Sequence, residues 1–301
     1  LGSIIGFVIQ FTALRRIQQV KLEKFDWTLS QIILKASFPF LILNGFLVFY
    51  AQVDIVIISL LVSDEALGWY GAADRLFNTL LFIPTVFMGA VFPALSRLHV
   101  EGWEKMANLS RLSFNLLFLA AVPIGLGMIA IADPLIALVF GQDFLESAPI
   151  LKVFGVVLIL TYQNILVGSF LISTDRQGPW TKVIILAALA SIPLDLILVP
   201  WCQETFNNGA IGGAIAFVIT EAFMLAGGIY LLPKGTLGWA NLSFALRTLL
   251  AGGVMLTAVW GLRNHFLLIP IAVGVTVYVI CVVVLRLISP ETWQILKHAS
   301  K

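Results

Sequence analysis

Charge is what this sequence has least of: 18 Lys and Arg with 16 Asp and Glu make up 11% of 301 residues. A soluble domain carries about a quarter charged residues, so a water-exposed surface of ordinary size could not be covered here. The net charge of +2 gives no nucleic-acid signal, and no nucleic-acid partner is expected. Cysteine and histidine are scarce as well. Cys202 and Cys281 lie far apart, one beside a connection and one inside an apolar stretch, and form no metal or redox motif. His99, His265 and His298 all fall in or near connections, and no Cys, Asp and His stand at ligand spacing, which leaves metal-hydrolase chemistry little basis. The glycines of GAIGG at 209–213 lack the following Lys and Ser/Thr of a phosphate loop. No segment resembles a selectivity filter. No cofactor, metal or catalytic residue is expected, and the chain does not read as an enzyme.

Apolar length is what the chain has in excess. Hydrophobic residues make up 60%, with a mean hydropathy of +1.01. They gather in stretches at 34–61, 68–95, 112–136, 150–173, 180–200, 209–232, 244–262 and 267–286. About 20 residues at 1.5 Å rise match a hydrocarbon core of about 30 Å, and backbone groups in lipid must be satisfied within the segment, so these are helices. The expected fold class is all-α, a polytopic transmembrane helix bundle. Residues 1–14 (LGSIIGFVIQFTAL) read as the tail of a span that starts upstream of Leu1, with Arg15 and Arg16 on the wrong side for a signal peptide. The chain thus looks like the C-terminal portion of a longer protein.

The connections alternate in charge. Arg15, Arg16, Lys21, Lys24 and Lys35 precede a purely acidic VSDEAL at 62–67. Arg97, Lys105 and Arg111 then precede 137–149, which carries Asp143 and Glu146 and no base. Arg176 and Lys182 precede 201–208 with its single Glu; Lys234 and Arg247, Arg263 alone, and Arg286, Lys297 and Lys301 complete the series. Fifteen of the 18 basic residues fall on one side, which the positive-inside rule makes cytoplasmic. Both ends of the chain are then expected in the cytoplasm, a parity that eight full spans preserve. Trp69, Trp180, Trp201, Trp239 and Trp260 lie near span ends, where an indole sits between headgroups and acyl chains. Residues 15–33 read either as a basic linker or as a short interfacial helix with Ile17, Val20, Phe25 and Trp27 toward lipid.

Prolines interrupt most spans (Pro39, Pro84, Pro93, Pro123, Pro134, Pro193 and Pro270), and glycines cluster at 125–127, 209–213 and 227–228. Proline removes a helix hydrogen bond and small residues let backbones approach. Such a composition suits helices that bend and slide, and equally a tightly packed static bundle.

Ionisable side chains within spans are costly unless paired or facing water, which makes each a functional candidate. Asp54 lies seven residues before the end of its span and Arg75 seven after the start of the next, both about 10 Å deep at 1.5 Å per residue. The two are expected either to staple the hairpin as an ion pair, with Asp74 as a rival partner, or to leave Arg75 facing a cavity and drawing an anionic group such as phosphate. Lys152 is a second cationic candidate, although its stem could carry it to the surface. Glu221, twelve residues into its span, is a proton-coupling candidate or a hydrogen-bonding group in helix packing. Asp195 and Asp133 lie nearer the outer surface and could simply reach water; Asp195 is carried as a second proton-coupling candidate. Asn44, Gln52, Tyr162, Gln163 and Asn164 add neutral hydrogen-bonding capacity for sugar hydroxyls or interhelical contacts.

Four segments in order, ASFPFLILNGFLVFYAQVDIVIISLL at 36–61, GWYGAADRLFNTLLFIPTVFMGAVFPALSRL at 68–98, PLIALVFGQDFLESAPILKVF at 134–154 and GAIGGAIAFVITE at 209–221, resemble the polysaccharide-biosynthesis flippases of the multidrug/oligosaccharidyl-lipid/polysaccharide exporter superfamily. The resemblance implies two six-helix lobes that rock around a central cavity. It makes residues 1–14 the tail of helix six, 15–33 a cytoplasmic linker, 34–232 the second lobe, 233–288 two additional helices and 289–301 a cytoplasmic tail. It places Arg75 where basic cavity residues of the family engage carrier-lipid pyrophosphate. Asp195 departs from the family pattern, which has an uncharged polar residue there. The implied partners are a lipid-pyrophosphate-linked saccharide, the bilayer, the N-terminal lobe of the same protein and polysaccharide assembly enzymes.

The expected function is movement of lipid-linked oligosaccharide or polysaccharide repeat units across the cytoplasmic membrane by alternating access. Lipid II flipping and extrusion of drugs or other cations are alternatives on the same fold. A membrane glycosyltransferase or polymerase would need a large outer loop or paired catalytic carboxylates, and the outer connections here are short. The two-lobe reading makes a direct prediction: about 150–200 codons upstream of Leu1 should encode five or six further spans of about 20 apolar residues. A start codon at residue 1 would sink it.

Overall fold

The computed structural model describes residues 2–18, 26–262 and 266–287, and the account that follows concerns these. The helices are α1 (Gly2–Gln18), α2 (Trp27–Leu61), α3 (Asp64–Leu80), α4 (Phe82–Glu101), α5 (Trp103–Val139), α6 (Ser147–Ser173), α7 (Gln177–Phe206), α8 (Ala210–Leu231), α9 (Trp239–Gly261) and α10 (Leu268–Val284). No strand occurs among the described residues. The chain divides into two units, Leu1–Leu41 and Ile42–Lys301. The first holds α1 and the opening of α2; the second holds the remainder of α2 and everything after it.

Seven helical segments are long and apolar enough to cross a membrane, with α3 and α4 together forming one of 38 residues. The molecule is an all-α polytopic membrane bundle. The eighth expected span is α10, whose 17 residues rise only about 26 Å. Helices also start earlier than their apolar stretches. The helix containing 34–61 begins at Trp27, where Asp26 Oδ1 accepts the N–H groups of Thr28 at 2.8 Å and Leu29 at 3.2 Å, an N-cap that counting apolar residues does not register. Helix α5 begins nine residues before 112, through a polar turn carrying Glu104 and Lys105. Of the expected linker 15–33, residues 19–25 lie outside the described residues, as does the expected tail 289–301.

Within the second unit, α6 is the central helix. It packs on α3, α4, α5 and α8, and Ile150, Leu151, Phe154, Val157 and Leu158 are wholly buried on its different faces. A helix apolar all round belongs in a core. The α5–α6 approach depends on one pair of glycines. A Cβ on Gly125 would fall on the Gly155 carbonyl oxygen, and a Cβ on Gly155 on that of Gly125, so the two backbones touch where neither has a side chain. Around Phe154, the rings of Tyr70, Phe77 and Phe217 lie with centroids at 5.4, 5.2 and 6.1 Å, offset and edge-on geometries that aromatic pairs prefer.

The connections gather at two ends. At one, Arg111 donates to the Thr236 carbonyl at 3.2 Å and to that of Gly235, while Arg176 donates to the Leu231 carbonyl at 2.8 Å. These are the basic connections of the sequence. At the other, Asn208 donates to the Glu146 carbonyl at 2.9 Å, and Gln203 Oε1 accepts the Gly209 N–H at 2.8 Å. Asn207 closes α7 in the left-handed conformation, φ 55°, which Asn tolerates better than most residues.

The expected single span 68–95 is two helices, broken at Leu81. Pro84 has no N–H, so the Leu80 carbonyl loses its helical partner; the Tyr162 hydroxyl of α6 donates to it at 2.7 Å. The same device recurs in α5. Pro123 frees the Leu119 carbonyl, and the Tyr278 hydroxyl of α10 donates to it at 2.8 Å. A carbonyl left bare in hydrocarbon is costly, so each tyrosine should matter through one oxygen. Tyr162→Phe is expected to destabilise the detergent-purified protein by about 1–3 kcal/mol, read as a lower thermal midpoint. Adding Pro84→Ala restores a backbone donor for Leu80 and should recover much of the loss. Equal losses in single and double variants would show that the carbonyl is not the reason.

Candidate functional site

A cleft of about 380 Å³ opens inside the second unit. Its walls come from α2 (Tyr50, Gln52, Asp54), α3 (Asp74, Phe77, Asn78), α6 (Thr161, Asn164), α7 (Trp180) and α8 (Phe217, Glu221). Its aromatic floor is the Phe154 cluster seen from above, since Tyr70, Phe77 and Phe217 belong to both.

The polar centre is Glu221, only 3% exposed. Its Oε1 accepts from the Tyr50 hydroxyl at 3.1 Å, and its Oε2 accepts from the Thr161 hydroxyl at 2.8 Å and the Asn164 amide at 2.9 Å. Asn164 Nδ2 also donates to the Glu221 backbone carbonyl at 2.9 Å. Tyr50 Oη lies 2.9 Å from Thr220 Oγ1. Helices α2 and α6 are thus tied to one carboxyl of α8. Thr161 and Asn164 reach it together because residues three apart share a helix face.

Beside this network, Asp54 of α2 meets Asp195 and Ser191 of α7. Asp54 is 5% exposed and Asp195 fully buried. One Asp54 oxygen, both Asp195 oxygens and Asn164 Oδ1 have no hydrogen-bond partner among the described residues.

The structure brings together five of the polar residues singled out in the sequence, Gln52, Asp54, Asp74, Asn164 and Glu221, and sets Asp195 behind Asp54. The others it places elsewhere. Arg75 is exposed, does not line the cleft and makes no ion pair among the described residues. Neither expected pair, Asp54–Arg75 nor Asp74–Arg75, forms. Adjacent positions on a helix point about 100° apart, and α3 turns Asp74, not Arg75, toward the cleft. Lys152 is paired with Asp133 of α5 at 2.7 Å, so the pair accounts for both. Gln163 is buried with neither amide atom partnered and points away from the cleft its neighbour Asn164 lines. Asp195 does not reach water.

Two groups were not visible in the sequence. Tyr50, Thr161 and Thr220 had no signal beyond being polar within apolar stretches. Trp180, expected at the membrane interface, is 3% exposed; its ring lies over Gly168 and Gly228 and forms part of the cleft wall. Among the described residues no group of His, Cys, Asp and Glu is placed to hold a metal ion.

The arrangement is a mainly apolar cleft between helices, set with polar side chains from α2, α3, α6 and α8. Comparison with known proteins gives the kind. Residues 2–149 match a family described as polysaccharide biosynthesis protein. The probable lipid II flippase MurJ of Bdellovibrio bacteriovorus is 26% identical over 266 residues, 85% of this chain and 50% of that protein. The probable low-salt glycan biosynthesis flippase Agl15 of Haloferax volcanii is 20% identical over 175 residues, 58% of this chain and 36% of the relative. The teichuronic acid biosynthesis protein TuaB of Bacillus subtilis is 28% identical over 130 residues, 42% and 26%. Among solved structures, lipid II flippase MurJ in an inward closed conformation superposes with a TM-score of 0.68 at 18% identity, covering 92% of this chain and 59% of that one. The chain spans half or less of the length of these curated relatives. These findings make the chain similar, over part of its length, to polysaccharide-biosynthesis proteins and flippases, and show a membrane bundle with the fold of that solved structure. The relatives whose names state an activity are flippases, not catalysts.

The Glu221 network yields a stability prediction. Glu221→Leu strips the acceptor from three buried donors and should cost about 3 kcal/mol or more, whereas Glu221→Gln keeps one oxygen and should cost less. Thermal unfolding in detergent checks it. Combined with Thr161→Val and Tyr50→Phe, Glu221→Leu should lose much of its effect, since the orphaned donors are gone.

Proposed function

We propose that this protein moves a lipid-linked glycan across the membrane, with residues 34–232 forming one six-helix lobe of a two-lobe alternating-access transporter. The observation that carries this is the cleft of about 380 Å³, mainly apolar but set with Gln52, Asp54, Asp74, Asn78, Thr161, Asn164 and Glu221, among apolar helices that suit a lipid surround. Hydrated sugars cannot cross hydrocarbon unaided, because each unpaired hydroxyl costs several kcal/mol. A transporter need only supply partners along the way, and no bond has to be made or broken. The similarity to named glycan and lipid II flippases supports the same reading, as does the presence of six spans between Trp27 and Leu231. The basic connections would face the cytoplasm. Glu221 and Asp195 would be the groups whose protonation follows the cycle.

A second reading has an observation of its own. The ionisable groups on the cleft wall are Asp54, Asp74, Glu221 and Tyr side chains, with no Lys or Arg, as extrusion of an organic cation requires. One experiment separates the two: the full-length protein, in liposomes, is offered a fluorescent polyprenyl-pyrophosphate-linked oligosaccharide and, separately, ethidium. Glycan-lipid translocation several-fold above protein-free liposomes is expected, without ethidium transport. Ethidium transport alone would establish the second reading, and no glycan-lipid movement would reject the first.

A further inference from the structure

The cleft has a chemical bias that the general reading does not use. Its buried, unpartnered polar atoms are acceptors: one carboxyl oxygen of Asp54 and Oδ1 of Asn164, each side chain about 95% buried and on the cleft wall. The donors nearest Glu221 are already spent, while the side-chain amides of Gln52 and Asn78 also line the cleft. Both Asn164 donor bonds, the Tyr50 hydroxyl and the Thr161 hydroxyl all go to Glu221. Asp74 adds a further carboxylate, half-buried on the cleft wall beside the Asn78 amide. Flat aromatic faces lie beside these atoms, from Tyr50, Tyr70, Phe77, Trp180 and Phe217.

A phosphate or pyrophosphate presents acceptor oxygens and negative charge. Against this wall it would meet acceptors and carboxyls, with no cation to offset them. The cation proposed for that role from the sequence, Arg75, is exposed and outside the cleft. A saccharide is the complement: a ring with many hydroxyl donors around an apolar face that lies well on aromatic side chains. We propose that this cleft is a glycan subsite, in which Asp54, Asp74 and Asn164 accept hydrogen bonds from sugar hydroxyl or amide groups. The pyrophosphate of the same substrate is held outside it. This rests on the flippase reading and says which half of the substrate these helices take.

The test compares two ligands on the full-length protein in detergent micelles: the polyprenyl-pyrophosphate-linked glycans extracted from the source membranes, and glycan-free undecaprenyl pyrophosphate. Quenching of tryptophan fluorescence reports binding, with Trp180→Phe identifying the part that arises at the cleft. Asp74→Asn is the first variant, because Asp74 is half-buried and unpaired by any cation, and its melting curve verifies folding; Asp74→Lys is the second. Asp74→Asn should weaken glycan-lipid binding about tenfold and leave undecaprenyl pyrophosphate binding unchanged. Asp74→Lys should weaken the glycan lipid at least as much. Stronger binding of undecaprenyl pyrophosphate by Asp74→Lys, together with unchanged glycan-lipid binding, would place phosphate in the cleft and overturn the proposal. So would equal loss of both ligands in Asp74→Asn, or a Trp180 response to sodium ions with none to the glycan lipid. If the wild-type protein binds neither lipid and moves neither in liposomes, the flippase reading itself fails, an outcome separate from these.

Discussion

An unpaired backbone or side-chain polar group in hydrocarbon cannot be rescued by water, and the bundle is arranged around that constraint. Helices satisfy it along most of their length. Where proline breaks the ladder, a tyrosine from a neighbouring helix restores the missing donor, Tyr162 at Leu80 and Tyr278 at Leu119. Where a carboxyl must sit at depth, Tyr50, Thr161 and Asn164 surround it. In each case a polar contact joins two or three helices, so satisfying the constraint also fixes which helices are neighbours. Dispersion and shape then refine the fit, as at Gly125 and Gly155, where the backbones touch.

Against this background the incompletely satisfied groups carry information. Asn164 keeps a free acceptor atom, and Asp54 and Asp195 meet with no donor from a third side chain on either Asp195 oxygen or on one of Asp54. Two of the three stand on the cleft wall. A protein that pairs the carbonyls freed at Pro84 and Pro123 has the means to pair these as well. Their persistence beside a cavity is the pattern expected of groups that find their partner in a ligand or in another state of a cycle.

The sequence made the fold legible because its signal is coarse and redundant. Twenty apolar residues need no precise register to be recognised, and the charge alternation counts the same spans a second time. Helix ends were less legible, since the first turn of α2 and of α5 is polar and its caps lie outside the apolar window. The site was legible in part. Glu221, Asp54 and Asn164 stood out as polar residues at depth, because depth follows from position along a span. Facing does not: it depends on the rotation of each helix, and a rotation of 100° exchanges Asp74 for Arg75. Partners drawn from different helices, such as Thr161 with Glu221 sixty residues later, leave no trace in spacing.

Contacts of different kinds hold the helices of the bundle together. Helices α5 and α6 cannot slide at Gly125 and Gly155 without first separating, because each backbone occupies the space a side chain would need. The joint between α3 and α4 is different. At Leu81 the helix is interrupted, and the freed Leu80 carbonyl is held by one hydroxyl, that of Tyr162. Leu81 itself lies on the cleft wall.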